Sequence, residues 1–148
     1  LSKWRRPSPE TIPCDTKAAG LYMICTLSKH EAEKNGYAES LMLDFEGYVA
    51  EATGANVFFI KDNEIHTPSP DCFLDGITRR TVIELAKMRG LSIVERKILP
   101  EEMAEFTECF LTGTAVEVTP VSQIGQYDFK PGLITKNLME DYISLVNR

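Results

Sequence analysis

The sequence has 148 residues, of which 43% are hydrophobic and 26% charged, as is ordinary for a globular domain. The formal net charge of −6 argues against nucleic-acid binding, because phosphate neutralisation needs clustered lysine and arginine. Lys3, Arg5 and Arg6 form one basic cluster, which is predicted to be a solvated run at the amino end. No apolar run approaches the about 20 residues of a membrane span and no signal peptide is evident, so we expect a cytoplasmic protein.

The sequence predicts one mixed α/β domain over residues 1–148, without repeats or linkers. In its first half we expect an extended segment at 1–13, a helix at 18–35 with an apolar face packed on a sheet, a four-stranded meander at 40–44, 48–51, 56–60 and 64–66, and a helix at 77–89. In its second half we expect a strand at 91–98, a helical turn at 100–105, a strand at 107–112, a turn and strand within 112–120, a hairpin-like segment at 125–132 and a helix at 135–146.

Cysteine and histidine are sparse and dispersed, without the spacing of a metal site or a redox pair. The residues concerned are Cys14, Cys25, Cys72, Cys109, His30 and His66. We therefore predict free, at least partly buried thiols, structural or solvated histidines, and no metal ion.

Two charged residues are candidates for chemistry. Glu51 ends a predicted strand and is followed by small residues at 52–55, which leave space for a group to approach the backbone. Such a carboxylate could hold a cationic ring nitrogen, although a solvated glutamate before a plain turn fits the same residues. Lys17 lies where an extended segment meets a helix, and a lysine there could form a Schiff base with a carbonyl or be a solvated surface group.

Two backbone segments are candidates for anion binding. Residues 75–78 (DGIT) open a helix, where free amides, the helix dipole and the Thr78 hydroxyl suit a phosphate, unless Asp75 or water caps them. Residues 112–115 (TGTA) offer a second group of amides and hydroxyls at a turn. Together with Lys17 and Glu51, these are the parts of a pyridoxal 5′-phosphate site.

Four ordered blocks resemble the carboxy-terminal domain of the fold-type IV (class IV) pyridoxal-phosphate aminotransferases, closest to the branched-chain amino acid aminotransferases. The blocks are Lys17-x-x-x-x-Tyr22, residues 47–58 (GYVAEATGANVF), residues 74–79 (LDGITR) and residues 111–120 (LTGTAVEVTP). The resemblance covers nearly the whole chain. It implies an α/β pseudo-barrel of mostly antiparallel strands with outer helices.

The resemblance also implies a role for each matching residue. Lys17 would carry the cofactor as a Schiff base and shuttle the substrate proton, Glu51 would pair with the pyridine nitrogen, and Tyr22 would hydrogen-bond the 3′-oxygen. The remaining contacts implied for the cofactor come from Gly54, Leu74, Gly76, Ile77, Thr78, Gly113 and Thr114, and those for the substrate carboxylate from the backbone at Thr114 and Ala115.

The implied reaction is transfer of the amino group of Leu, Ile or Val to 2-oxoglutarate. D-amino acid transamination, an aminodeoxychorismate lyase step and a non-catalytic module that binds a phosphorylated metabolite or a protein are alternatives. In this family a preceding domain supplies an arginine to the phosphate, and a second subunit completes the pocket. We therefore expect this chain to be the carboxy-terminal domain of a larger enzyme, a homodimer or higher homo-oligomer, and to be poorly active alone.

Overall fold

The computed structural model describes residues 1–147, which form a mixed α/β fold of ten strands and three α-helices. The strands are β1 (Arg5–Arg6), β2 (Leu41–Asp44), β3 (Val49–Ala52), β4 (Asn56–Lys61), β5 (Glu64–Pro68), β6 (Ser92–Arg96), β7 (Glu108–Gly113), β8 (Glu117–Pro120), β9 (Gln123–Ile124) and β10 (Tyr127–Asp128). The helices are α1 (Tyr22–Lys34), α2 (Ile77–Met88) and α3 (Leu133–Val146), with short 3₁₀ helices at Ala19–Leu21 and Pro100–Glu105.

A five-stranded sheet in the order β6-β5-β4-β7-β8 forms the centre of the fold, and all its pairs are antiparallel except β5 with β6. Strand β4 is apolar from Val57 to Ile60, as suits a strand whose sheet is covered on both faces. One face carries Val57 and Phe59 into a core with the 3₁₀ helix at Pro100–Glu105. The other face carries Phe58 and Ile60 against α2 and α3.

The predicted meander is wrong in its pairing, although its four strands are present. Strands β2 and β3 pair in a small sheet with β1, whereas β4 and β5 pair in the central sheet. The chain changes sheets at residues 53–55, where the Ala52 amide donates to the Ala55 carbonyl. The small residues at 52–55 therefore mark a crossing between two sheets.

Helix α1 does not use the apolar face that the sequence predicts. Leu21 and Cys25 are buried, but Tyr22 is 46% exposed. Helix α1 contacts the amino-terminal segment, where the Ser2 and Ser28 hydroxyls are 2.7 Å apart. The predicted apolar face is thus buried only in part, and its remaining residues are exposed.

Three further features were predicted. All four cysteines are free and buried, as expected. His30 is exposed, and His66 is buried beside Arg96 and Glu64. Within residues 1–147, no helix combines the length and apolar character that crossing a membrane requires.

Candidate active site

Glu51 on β3 is the buried acid of the site, with 9% of its surface exposed. Its Oε1 lies 3.4 Å from Nε of Arg6, and its Oε2 accepts a hydrogen bond of 3.3 Å from the amide nitrogen of Asn56. Burial raises the pKa of Glu51 to about 8, and the nearby Arg6 charge acts in the opposite direction.

Arg6 contradicts the predicted solvated basic run. Arg5 is exposed, but Arg6 is only 4% exposed because successive residues of a strand point to opposite sides. Strand β1 runs parallel to β2, and this pairing turns Arg6 inward. Besides Glu51, its guanidinium contacts the Cys25 sulfur at 3.4 Å and the Cys72 carbonyl at 3.5 Å.

Asn56 connects the acid to the start of helix α2. Its amide nitrogen donates both to Glu51 and to the Leu74 carbonyl, at 3.1 Å, and its Oδ1 accepts from the Gly76 amide at 3.3 Å. A Cβ on Gly76 would lie 2.6 Å from Oδ1 of Asn56, so this close approach requires glycine at position 76. The predicted acid and the predicted phosphate cradle are thus held by one side chain.

The first turn of α2 carries no side-chain cap. Gly76 is the N-cap, and the Asp75 carboxylate is directed to Arg79 at 2.8 Å. Ile77 is 76% exposed, whereas Thr78 is buried with its hydroxyl 3.4 Å from the hydroxyl of Tyr142. The alternative in which Asp75 caps these amides is therefore wrong, and the helix start is suited to an anion.

The two turns that carry Gly54 and Gly113, both implied cofactor contacts, approach each other closely. A Cβ on Gly113 would lie 3.2 Å from the Gly54 carbonyl, in the range where a neighbour must shift. Gly54 itself is exposed, as are Thr114 and Ala115 at the turn between β7 and β8. The β3–β4 and β7–β8 connections therefore form one rim beside Glu51.

Lys17 lies between Cys14 and Cys25, two buried residues that pack on neighbours of Glu51. Before it, Cys14 packs with Ala50, the neighbour of Glu51 on β3. After it, Cys25 contacts Arg6, the ion-pair partner of Glu51. Lys17 is itself exposed, and within residues 1–147 no ion pair or hydrogen bond joins its amine to the Glu51 carboxylate.

The sequence-based candidates fall into two groups. Asn56 connects Glu51, Leu74 and Gly76, with Ile77 and Thr78 following directly on α2. Gly54 and Gly113 form a separate close approach. Lys17, Tyr22, Thr114 and Ala115 are exposed. In the part of the chain that the structure describes, no cluster of three or more metal-ligating side chains is present.

Sequence reasoning missed Arg6 and Asn56 as site residues. Asn56 could have been found, because it falls within the glycine-containing block that also carries Glu51. No local signal distinguishes Arg6 from Arg5, since only the pairing of β1 with β2 decides which of the two turns inward.

The fold thus joins a buried carboxyl to an uncapped helix start through one asparagine side chain. A family model described as amino-transferase class IV matches residues 1–124. The chain belongs to this family.

Relatives and solved structures agree with the family. The chain is 43% identical over 150 residues to a Rickettsia bellii protein named a probable branched-chain-amino-acid aminotransferase, covering 99% of this chain and 52% of that protein. The branched-chain aminotransferase of Thermoproteus uzoniensis, solved with norvaline, matches with a TM-score of 0.95 and 37% identity, over 99% of this chain and 50% of that one. A T.th. branched-chain amino acid aminotransferase, complexed with N-(5′-phosphopyridoxyl)-L-glutamate, matches with a TM-score of 0.95 and 38% identity, over 98% of this chain and 50% of that one.

These matches confirm the predicted family and fold class. The chain spans about half the length of the relatives it matches.

Proposed function

We propose that this chain is the lysine-bearing, carboxy-terminal half of a pyridoxal-phosphate-dependent branched-chain amino acid aminotransferase. The observation that carries the proposal is the link from the buried Glu51 carboxyl through Asn56 to the uncapped start of α2. An acid for a ring nitrogen and amides for a phosphate are thus held by one side chain. The small residues at the rim leave room for a flat ring between this acid and these amides.

The donor set fits this cofactor. The Glu51 carboxylate would pair with the ring nitrogen, and the Leu74 side chain would pack on the face of the ring. The amides of Ile77 and Thr78 would hold the phosphate, with Gly113 and Thr114 adding donors from the opposite turn, while the Gly76 amide is already bonded to Asn56. When bound, pyridoxal phosphate supplies an electron sink for the negative charge that develops at the substrate α-carbon.

The remaining residues would handle the substrate and its proton. The Lys17 amine would hold the cofactor covalently and then move the proton of the α-carbon. The Tyr22 hydroxyl would donate to the 3′-oxygen of the ring, and backbone amides at Thr114 and Ala115 would bind the substrate carboxylate. Each of these four residues is exposed, so a substrate can reach it from solvent.

The names of the relatives support Leu, Ile and Val as amino donors, and the glutamate adduct in one solved relative supports 2-oxoglutarate as acceptor. We propose that the longer protein is cytoplasmic and assembles as a homodimer or higher homo-oligomer. An amino-donor panel of L-Leu, L-Ile, L-Val and D-Ala on that protein tests the substrate class. Preference for D-Ala would refute this assignment in favour of D-amino acid transamination. A lyase product without transamination would refute it in favour of a lyase step.

Lys17 labelling tests the cofactor assignment directly. The chain is incubated with pyridoxal phosphate, reduced with borohydride and digested, and the pyridoxyl group is located by mass spectrometry. We expect the label on Lys17 and its loss in Lys17→Ala, whereas Lys136→Ala, an exposed lysine on α3, should label like the wild type. A label spread evenly over surface lysines would refute the assigned role.

A further inference from the structure

The Arg6–Glu51 pair is the most deeply buried ion pair near the proposed site. The two side chains are 5% and 12% exposed, and Arg6 is the cation that pairs with Glu51 among residues 1–147. Other groups that face the pair are the Cys25 thiol from α1, the Cys14 and Cys72 thiols from the segments before α1 and α2, and the neutral Asn56 amide from β4. None of these supplies a second positive charge.

Two opposing effects act on the Glu51 carboxyl. Burial favours its neutral, protonated form, and the Arg6 charge favours the carboxylate. A ring nitrogen facing this carboxyl shares a proton with it, and the proton resides on the ring only if the carboxylate form is stabilised. The position of Arg6 therefore bears on the charge of a bound ring.

We propose that Arg6 is a positioning residue, which aims the Glu51 carboxyl and favours its carboxylate form, so that the proton shared by Glu51 and a bound ring passes from the Glu51 oxygen to the ring nitrogen. This inference rests on the proposed function. Arg6 acts through Glu51 and does not touch the ring itself. Its three contacts, to Glu51, Cys25 and the Cys72 carbonyl, leave the guanidinium a single orientation.

The adjacent arginine provides a matched control. Arg5 is exposed and donates to the Phe45 carbonyl at 3.4 Å, so Arg5→Met removes the same charge one residue away without touching Glu51. Arg6→Lys keeps the buried charge and loses the planar donor set, whereas Arg6→Met removes both. Comparing Arg6→Met with Arg6→Lys separates the effect of the buried charge from that of the guanidinium geometry. Comparing Arg6→Met with Arg5→Met shows whether the charge must lie beside Glu51.

The first measurement needs no cofactor. The pKa of Glu51 is followed by carbon-13 NMR of the side-chain carboxyl, assigned with Glu51→Gln. We expect Arg6→Met to raise it by about one to three units, and Arg6→Lys and Arg5→Met to leave it near the wild-type value. An unchanged titration in Arg6→Met would overturn the proposal.

The wild-type chain supplies a measurement that does not depend on a variant folding. The Nε signal of Arg6 in nitrogen-15 NMR should titrate with the same midpoint as the Glu51 carboxyl, because the two groups are 3.4 Å apart. Independent midpoints would show that the pair is not coupled, and would overturn the proposal even if Arg6→Met did not fold.

The second measurement adds pyridoxal phosphate labelled with nitrogen-15 in the ring. In variants that still label Lys17, we expect a protonated ring nitrogen in the wild type, Arg5→Met and Arg6→Lys, and an unprotonated one in Arg6→Met. A protonated ring in Arg6→Met would refute the role of Arg6. Failure of the wild type to label Lys17 would instead refute the proposed function, while the cofactor-free titration would still decide whether Arg6 controls Glu51.

Discussion

Burial of the Glu51 carboxyl links the stability of the fold to pH. Its pKa is about 8 in the folded chain and 4.5 as the unperturbed value, so between these two values the folded state holds a proton that the unfolded state has released. Stability from this group is complete below about pH 4.5 and is lost as the pH rises toward 8, with a slope of at most about 1.4 kcal/mol per pH unit.

Glu51→Gln should remove this dependence. The amide side chain keeps the shape and carries no charge, so the free energy of unfolding should decline less between pH 5 and pH 8 than in the wild type. Urea unfolding at each pH measures the two slopes, and Glu33→Gln on the exposed surface of α1 should leave the slope unchanged. Parallel curves for Glu51→Gln and the wild type would contradict the assigned burial cost.

Asn56 makes a second prediction at the residue scale. Asn56→Asp retains the acceptor for the Gly76 amide but removes both donated hydrogen bonds and places a second carboxylate beside Glu51. We expect a loss of about 1–3 kcal/mol in the free energy of unfolding, because buried partners are left unpaired. Gln126→Glu, an amide-to-carboxylate change at an exposed position between β9 and β10, should change it by less than about 0.5 kcal/mol. Equal effects of the two substitutions would show that Asn56 does not hold the site together.

At the scale of elements, helix α3 is capped by a side chain from a distant strand. Oε2 of Glu108 on β7 accepts from the amides of Gly132 and Thr135, each at 3.0 Å, and from the Thr135 hydroxyl at 2.6 Å. A Cβ on Gly132 would overlap this carboxylate. The glycine is therefore required for the space it leaves.

Gly132→Ala should destabilise the chain by about 1–3 kcal/mol, since the Glu108 carboxylate must leave the helix start. In a Glu108→Ala background the same substitution should cost less than about 0.5 kcal/mol, because the colliding group is gone. A double-mutant cycle on thermal or urea unfolding measures this coupling. Additive effects would mean that the two residues act independently.

The sequence predicted elements where the signal is local. Asp62 and Asn63, both with positive φ, form the two-residue turn between β4 and β5, and Gly36, also with positive φ, directly follows the helix predicted at 18–35. The start of α3 was placed two residues late, at Thr135, because its cap comes from Glu108, 24 residues before Gly132. A capping residue so far away in the sequence cannot be recognised from the residues around the helix start.

The residues of the candidate site likewise fall into those with a local sequence signal and those without one. Its acid, its helix start and its glycines lie in blocks that the sequence shows, whereas the burial of Arg6 follows from the pairing of two strands about 38 residues apart. The pairing error in the meander has the same origin. A strand pattern indicates which residues are extended, but the choice of neighbour depends on how two sheets pack.

At the scale of the whole molecule, the proposed site is open. Lys17, Tyr22, Ile77 and Thr114 are exposed, while Glu51 and Asn56 are buried. Water can therefore reach the proposed reacting groups, which weakens electrostatic stabilisation and lets the lysine adopt many positions. The relatives that the chain matches are about twice its length.

The 148-residue chain alone should consequently be a poor catalyst. With L-leucine and 2-oxoglutarate, we expect its turnover to lie about 100-fold or more below that of the Rickettsia bellii relative, because misplacement of a catalytic group by about 1 Å can cost that much. A chain of that relative shortened to the matching region is the control, and should lose turnover to a similar extent. If the short chain turned over as fast as the longer relative, these exposed residues would not need to be shielded from water by further protein. The proposal that two halves of the enzyme both contribute to the site would then be wrong.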